Sequence, residues 1–168
     1  MVFVDESGVA TDTARHYRRT PGGQRALRAA PYGGRERLTI SAVSLLGLVA
    51  CMTVAGAADT PAVVAFVGRV LVPALRPGQV VVMDNLTRHQ AARVRELIEG
   101  AGCRLLFLPP YSPDFNPIEP AWGKLKALLR GMGARTVAAL DAALTTLVDA
   151  ITPGGAAGFV RHCGYAVQ

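Results

Sequence analysis

The chain has 168 residues, 51% of them hydrophobic, which suits one globular domain with its own core and excludes a disordered chain or a sizeable second domain. Its formal net charge is +6, from 18 basic and 12 acidic residues, and this excess is compatible with a polyanionic partner without identifying one. Three widely spaced cysteines without a CxxC pair, and the absence of a signal peptide, predict a reduced, cytoplasmic protein.

The N-terminus predicts a short apolar strand. It starts at Val2 and is expected to end on Asp5 and Glu6, with a turn at Ser7-Gly8. Strand alternation places the Asp5 and Glu6 side chains on opposite faces. These residues alone favour a surface acidic turn, and a functional Asp5 is the alternative.

A basic insertion is predicted next, over about residues 9–37. Between Arg15 and Arg37 it contains seven arginines and a single acid, Glu36, without any periodicity. Two interpretations stay open: a solvated loop, or an arm that contacts phosphates, since arginine binds phosphate in a bidentate manner.

Two β-rich runs, Leu38–Leu46 and Leu48–Ala55, predict a hairpin. The stretch 41–58 carries no charge, but Gly47 in its middle fits two strands and a turn better than a membrane span. A helix is predicted from Thr60 to Leu75, with Thr60 as its N-cap and Pro61 at its first position.

The next stretch has the pattern strand, helix, strand. The apolar run Val80–Met83 predicts a buried strand that delivers Asp84 at its end. Apolar residues recur at helical spacing from Arg88 to Gly100, and Arg104–Leu108 is a second apolar strand. A right-handed crossover makes the two strands parallel neighbours in one sheet.

A proline-rich segment at 109–113 excludes helix and directs the chain stiffly out of the sheet. Helix resumes near Pro117, where proline is tolerated, and it carries Glu119 in its first turn. Further helices are predicted at Arg135–Ile151 and Ala156–His162.

Several of these features occur together in one known pattern. They are Asp84 after an apolar strand, the string LPPYSPDFNPIE at 108–119, and Trp122 with the Lys-x-Lys that follows it. Thirty-four residues separate Asp84 from Glu119. The pattern resembles the DDE transposases of the superfamily that joins mariner-like elements to bacterial insertion-sequence relatives, whose second and third catalytic carboxylates are about this far apart.

The resemblance implies a fold and a catalytic triad. The fold is a ribonuclease-H-like α/β domain over residues 1–168: a mixed five-stranded sheet, three antiparallel strands and then two parallel ones, flanked by helices. In that fold the first and fourth strands are neighbours. Asp5 and Asp84 would therefore lie side by side, with Glu119 reaching over from its helix as the third carboxylate.

The resemblance also implies metal chemistry. Three converging carboxylates repel one another unless a cation is present. Two Mg²⁺ ions held by Asp5, Asp84 and Glu119, with Mn²⁺ as a substitute, would activate a water or a sugar hydroxyl for attack on a phosphodiester. The implied reaction cleaves transposon ends and joins the freed 3′-hydroxyls to target DNA, typically at TA dinucleotides, without a covalent enzyme intermediate.

Other residues have weaker claims to a role at this site. Asn85 and His89 either orient a ligand or contact DNA, or they are simply turn and helix-start residues. Asn116 is expected to brace the loop before Glu119 or to cap its helix. Trp122 is interpreted as a core residue.

Lys124, Lys126 and Arg130 are interpreted as one basic helix face. That face is either solvated or close enough to the site to meet phosphate. We expect DNA as the partner, and no membrane, in the nucleoid-associated cytoplasm of a bacterium.

Full-length relatives carry N-terminal helix-turn-helix modules, and Asp5 lies almost at the start of this sequence. We therefore expect a homodimer, or a partner chain that supplies the helix-turn-helix domain. The alternative is a truncated, non-catalytic remnant or a DNA-binding partner of intact transposase. A sequence-independent nuclease of the same fold is a third reading.

Overall fold

A computed structural model describes residues 1–11, 36–56, 58–87 and 89–167. At its centre is a five-stranded sheet in the order β3-β2-β1-β4-β5. The strands are β1 Val2–Ala10, β2 Glu36–Ser44, β3 Gly47–Ala55, β4 Val80–Met83 and β5 Arg104–Phe107. β1 to β3 are antiparallel, whereas β4 runs parallel to both β1 and β5. The expected mixed sheet, with the first and fourth strands adjacent, is confirmed.

Helices cover both faces of this sheet. α1 (Thr60–Phe66) and α2 (Ala92–Gly100) pack on one face, and α3 (Ile118–Met132), α4 (Val137–Leu147) and α5 (Pro153–His162) pack on the other. β1 alternates between the two cores: Val2 and Val4 contact the α1–α2 side, and Phe3 and Val9 the other. By the same alternation, Asp5 faces α3 and Glu6 faces α2.

β1 is longer than the sequence suggested. It pairs with β2 along its whole length, to Ala10 opposite Glu36, so no turn forms at Ser7-Gly8 and the expected strand end at Asp5 is wrong. A continuous partner strand outweighs the local turn signal, because each further pair satisfies backbone groups. β4 reaches only as far as Val4 in β1, so Asp5 is the first residue beyond the parallel edge.

The basic insertion is narrower than the predicted range 9–37. Val9 pairs with Arg37 and Ala10 with Glu36, so both ends of that range belong to strands. The arginines from Arg15 to Arg35 lie outside the described residues, and the arm that contacts phosphate stays a prediction.

The first helix differs from its prediction at both ends. Asp59, not Thr60, is the N-cap, and its side chain accepts a hydrogen bond from the Ala62 N–H at 2.9 Å. Beyond Phe66 the chain widens into a π-helical segment and then tightens into a 3₁₀ turn that contains Pro73. Proline supplies no N–H for a regular helix, which explains why α-helix does not continue to Leu75.

The later helices also start or end elsewhere than predicted. α2 begins at Ala92 rather than Arg88, because the chain first makes a turn in which the His89 N–H donates to the Leu86 carbonyl. α4 ends at Leu147, short of Ile151, and α5 starts at Pro153, ahead of Ala156.

The hairpin of β2 and β3 accounts for the long uncharged stretch. Its turn requires glycine at position 47, since φ is +109° and a Cβ there would lie 2.3 Å from the Ile151 carbonyl oxygen. Within the described residues, no single helix has the length and apolar composition to cross a membrane. One pair of helical segments meets both criteria when taken together, Val137–Ala150 and Pro153–His162, but the chain bends by 81° between them.

Candidate active site

The two aspartates follow neighbouring positions of parallel strands. Val4 of β1 pairs with Met83, the last residue of β4, so Asp5 and Asp84 are the next residues on adjacent strands. Together with Glu119 they line one cavity of about 350 Å³. The fold therefore brings all three expected carboxylates to one place.

Glu119 reaches the cavity because α3 is anchored firmly on its other side. Five residues of this helix are buried in the core: Ile118, Ala121, Trp122, Leu125 and Leu129. The core position expected for Trp122 is confirmed. Glu119 lies in the first turn and its side chain is exposed, and its N–H donates to the Asn116 carbonyl at 3.1 Å.

Asp5 is a buried carboxyl held by two donors. Its Oδ1 accepts from the Glu6 N–H at 2.7 Å, and its Oδ2 accepts from the Asn116 side-chain amide at 2.8 Å. The pKa of Asp5 is raised to about 7, mainly by burial; the Glu6 N–H lowers it in part, and the negative charges of Asp84, Glu119 and Glu6 add to the rise. Burial and the neighbouring carboxylates together therefore outweigh the hydrogen bond that lowers this pKa.

Asp84 is supported from the opposite face of the sheet. His89 is fully buried, and its Nε2 donates to Glu6 Oε1 at 2.8 Å while its Nδ1 contacts Asp84 Oδ1. Burial alone would lower the pKa of His89, but the carboxylates of Asp84 and Glu6 outweigh it and raise the pKa to about 9. A protonated imidazole therefore bridges the two acids and fixes Asp84 Oδ1.

This bridge corrects one interpretation of His89 and reveals a residue that the sequence did not single out. A side chain with no exposed surface does not contact DNA, so that reading of His89 is wrong. Glu6 is the second anchor of His89, and its side chain lies on the face of β1 opposite to Asp5. The only signal in the sequence is the adjacent Asp5-Glu6 pair, because strand alternation turns Glu6 to the other face but does not identify its partner.

Asn116 acts on Asp5 rather than on the helix. No side chain caps the start of α3, where Pro117 is the N-cap, so the capping role expected for Asn116 is wrong. Its amide group instead reaches 111 residues back along the chain to Asp5. Asn85 also lines the cavity, and its side-chain oxygen accepts from Gln90 Nε2.

The three basic residues of α3 do not form one face. At 3.6 residues per turn, Lys126 and Arg130 fall on the same side as Glu119, two and three turns further along. Lys124 points elsewhere, and its Nζ donates to the Ala150 carbonyl at 2.7 Å. The single basic face expected for these residues is therefore wrong, and only Lys126 and Arg130 share the Glu119 side of α3.

Tyr165, near the C-terminus, connects two of the elements that carry carboxylates. Its ring lies 5.0 Å from the ring of Phe3 in β1, and its hydroxyl donates to the Phe115 carbonyl at 2.8 Å. Phe115 belongs to the loop that leads into α3. Nothing in the local sequence indicated this contact, which joins residues 50 positions apart.

We expect Tyr165→Phe to lower the free energy of unfolding by about 0.5–1.5 kcal/mol, the usual net value of one hydrogen bond. Tyr165→Ala should cost more, because it also removes the ring from Phe3. Urea unfolding of the two variants measures both losses. Equal free energies of unfolding for wild type and Tyr165→Phe would show that the hydroxyl contact does not stabilise the fold.

The residues of the cavity suit hard divalent cations. Among the described residues no three His, Cys, Asp or Glu side chains are arranged to hold a metal ion. Asp5 instead accepts a hydrogen bond from Asn116, and Asp84 contacts His89. The donors are nevertheless all oxygens, as Mg²⁺ and Mn²⁺ prefer. The buried Asn116 Oδ1 has no hydrogen-bond partner in the described part of the chain, and an orphaned acceptor of this kind suits a cation or its bound water.

The fold is similar to that of solved transposase structures. Three similar structures are a Mos1 transposase paired-end complex with the left transposon end (TM-score 0.75, 17% identity, 96% of this chain and 50% of that chain), a Mos1 mariner paired-end complex with Mn (0.70, 18%, 96% and 51%) and the catalytic domain of Mos1 mariner transposase (0.63, 15%, 99% and 83%). At these identities the likeness establishes the fold, and the ribonuclease-H-like expectation is confirmed.

The chain spans about half the length of the transposase chains in the two paired-end complexes. Among curated proteins, none matches its sequence. The family model described as DDE superfamily endonuclease matches residues 1–141, which include all three carboxylates of the cavity. The chain therefore belongs to the DDE superfamily endonucleases.

Proposed function

We propose that this chain is a transposase catalytic domain that cleaves DNA at transposon ends and joins the freed 3′-hydroxyls to target DNA. The observation that carries the proposal is the cavity in which Asp5, Asp84 and Glu119 meet beyond the parallel edge of the sheet. Family membership supports phosphodiester cleavage. Similar structures are described as transposase complexes with a transposon end, which supports DNA as the substrate.

We propose Mg²⁺ as the cofactor, as two ions, with Mn²⁺ able to replace it. Structures similar to this one are described as complexes with Mg and with Mn. Asp5, Asp84 and Glu119 would hold the ions. When bound, they supply activation of the attacking hydroxyl and stabilisation of the leaving oxygen.

The remaining residues of the site position these carboxylates. Asn116 fixes one oxygen of Asp5, and protonated His89 fixes Oδ1 of Asp84. Glu119 comes from a helix whose opposite side is locked in the core. Lys126 and Arg130 lie on the same side of α3 as Glu119, and we propose that they contact DNA phosphates.

The partners form a further part of the proposal. We propose that the chain works as a homodimer or with a chain that supplies a helix-turn-helix domain, in the nucleoid-associated cytoplasm of a bacterium. Size-exclusion chromatography with light scattering, with and without DNA, tests the dimer.

A plasmid assay tests the proposed reaction. Purified protein is mixed with supercoiled plasmid and a labelled oligonucleotide that bears a free 3′-hydroxyl, in Mg²⁺, Mn²⁺ or EDTA. We expect nicked circles and labelled joined products with either metal and none with EDTA. Nicking without joining would favour a sequence-independent nuclease. The absence of all products, even with a chain that supplies a helix-turn-helix domain added, would favour a non-catalytic remnant.

We expect Asn116→Ala to slow metal-dependent cleavage about 10- to 100-fold, the usual cost of removing a residue that orients a metal ligand. Asp5 would lose the donor that fixes its Oδ2. Initial rates over a series of Mg²⁺ concentrations measure the effect. Gln79→Ala is the control, because it removes another hydrogen-bonded amide that does not line the cavity; equal rates for the two variants would contradict the role of Asn116.

A further inference from the structure

Tyr111 is an exposed aromatic side chain at the rim of the carboxylate cavity. Its relative exposure is 102%, whereas the other exposed large hydrophobic residues of the described chain lie between 39% and 64%. A tyrosine ring is largely apolar and normally packs against other groups. A ring that packs against nothing in the protein itself is available to a ligand.

The backbone holds Tyr111 in an unfavourable conformation. Its φ is 58°, and it is the one non-glycine residue with positive φ in the described part of the chain. The left-handed region crowds a Cβ, so glycine would suit this position better. Pro109, Pro110 and Pro113 stiffen the loop on both sides, and strain of this kind persists where it serves a ligand.

The surroundings of Tyr111 indicate what that ligand is. Pro109, Pro110 and Tyr111 line the cavity, and Leu86, two residues after Asp84, adds a half-exposed apolar side chain. The carboxylates lie in the same cavity. A DNA strand that places a phosphate at the carboxylates carries a base on either side of that phosphate, so a base lies beside these apolar groups.

We propose that Tyr111 is a stacking platform for an unpaired nucleobase next to the phosphate at the carboxylates. This inference rests on the proposed function, because the proposed function is what places a DNA phosphate at the carboxylates. A base inside a duplex is covered on both faces by its neighbours and offers no face to a tyrosine. The occupant is therefore a flipped base or a base in a single-stranded end, and stacking accepts any of the four bases because each has a π face.

DNA binding measures the stacking directly. The probe is a fluorescein-labelled duplex with a single-stranded 3′ overhang, with Ca²⁺ as an oxygen-binding cation. An abasic nucleotide replaces each of the first few unpaired nucleotides in turn. Wild type should bind the intact probe about 5- to 150-fold more tightly than one of the abasic probes, which corresponds to the usual stacking contribution of one base.

Substitutions at position 111 assign this difference to the ring. Tyr111→Ala should bind the intact and abasic probes equally, whereas Tyr111→Phe, which keeps the ring, should preserve the difference. Because the side chain is fully exposed, its removal leaves the core intact. Leu106→Ala removes another exposed apolar side chain that does not line the cavity, and it should behave as wild type.

The outcomes separate this inference from the proposed function. If Tyr111→Ala keeps the preference for the intact probe, the stacking role is overturned while DNA cleavage by the carboxylates stands. If Tyr111→Phe loses the preference, the hydroxyl and not the ring is responsible, and stacking is again overturned. If wild type binds neither probe and cuts no plasmid, the proposed function fails and this inference with it.

Discussion

Glu119→Gln is expected to reduce metal-dependent DNA cleavage on the order of a thousandfold, because one of three charged metal ligands becomes a weak neutral one. The variant is a clean test of chemistry. The Glu119 side chain is exposed and has no hydrogen bond or ion pair among the described residues, so its amide should leave the fold unchanged. Plasmid nicking rates in Mg²⁺ measure the loss.

Asp149→Asn is the matched control for Glu119→Gln. Asp149 is an exposed acid in the turn that follows α4, and it does not line the cavity. The Asp149→Asn substitution removes one negative charge, as Glu119→Gln does, and should leave the rate of plasmid nicking unchanged. If Glu119→Gln cuts as fast as Asp149→Asn, Glu119 is no metal ligand and the carboxylate triad is wrong.

His89→Ala is expected to lower the free energy of unfolding by about 3–5 kcal/mol, the usual cost of breaking a buried ion pair from one side. His89 is fully buried, and the Glu6 side chain it contacts is only 5% exposed. Without the imidazolium, the buried Glu6 carboxylate loses its contact with a cation at 2.8 Å. Urea unfolding at neutral pH measures the loss.

Two further variants separate this charge effect from lost packing. In the double variant Glu6→Gln/His89→Ala the carboxylate that faced the imidazolium is neutral as well, so part of the lost stability should return. His162→Ala removes an exposed histidine and should change the free energy of unfolding by no more than about 0.5 kcal/mol. A loss below about 1 kcal/mol for His89→Ala would mean that the bridge does not stabilise the fold.

Part of the candidate site follows from local sequence patterns. A wholly apolar run that stops at a carboxylate marked β4 and Asp84, and the proline-bounded helix start placed Glu119 in a first turn. Both signals depend on residues next to each other in the chain. Asp5 needed the family resemblance, because its local sequence predicts a surface turn and only the pairing with β2 keeps the strand going.

The groups that support the carboxylates could not be predicted in this way. Asn116 and Asp5 are 111 positions apart, and His89 and Glu6 are 83 apart, so only the folded sheet brings each pair together. The N-cap of α1 is a local case of the same difficulty, since Asp59 and Thr60 are both good caps. When two adjacent residues can both cap a helix, the path of the chain before the helix decides which of them is the N-cap.

Crystals grown with DNA and Mn²⁺ would test the central claim most directly, through the anomalous scattering of the metal. We expect two anomalous peaks in the cavity, with oxygens of Asp5, Asp84 and Glu119 at about 2.0–2.3 Å from manganese, close to the distances of hard oxygen ligands. Peaks away from the three carboxylates, or a metal-free cavity in a complex whose DNA is cut, would contradict the account.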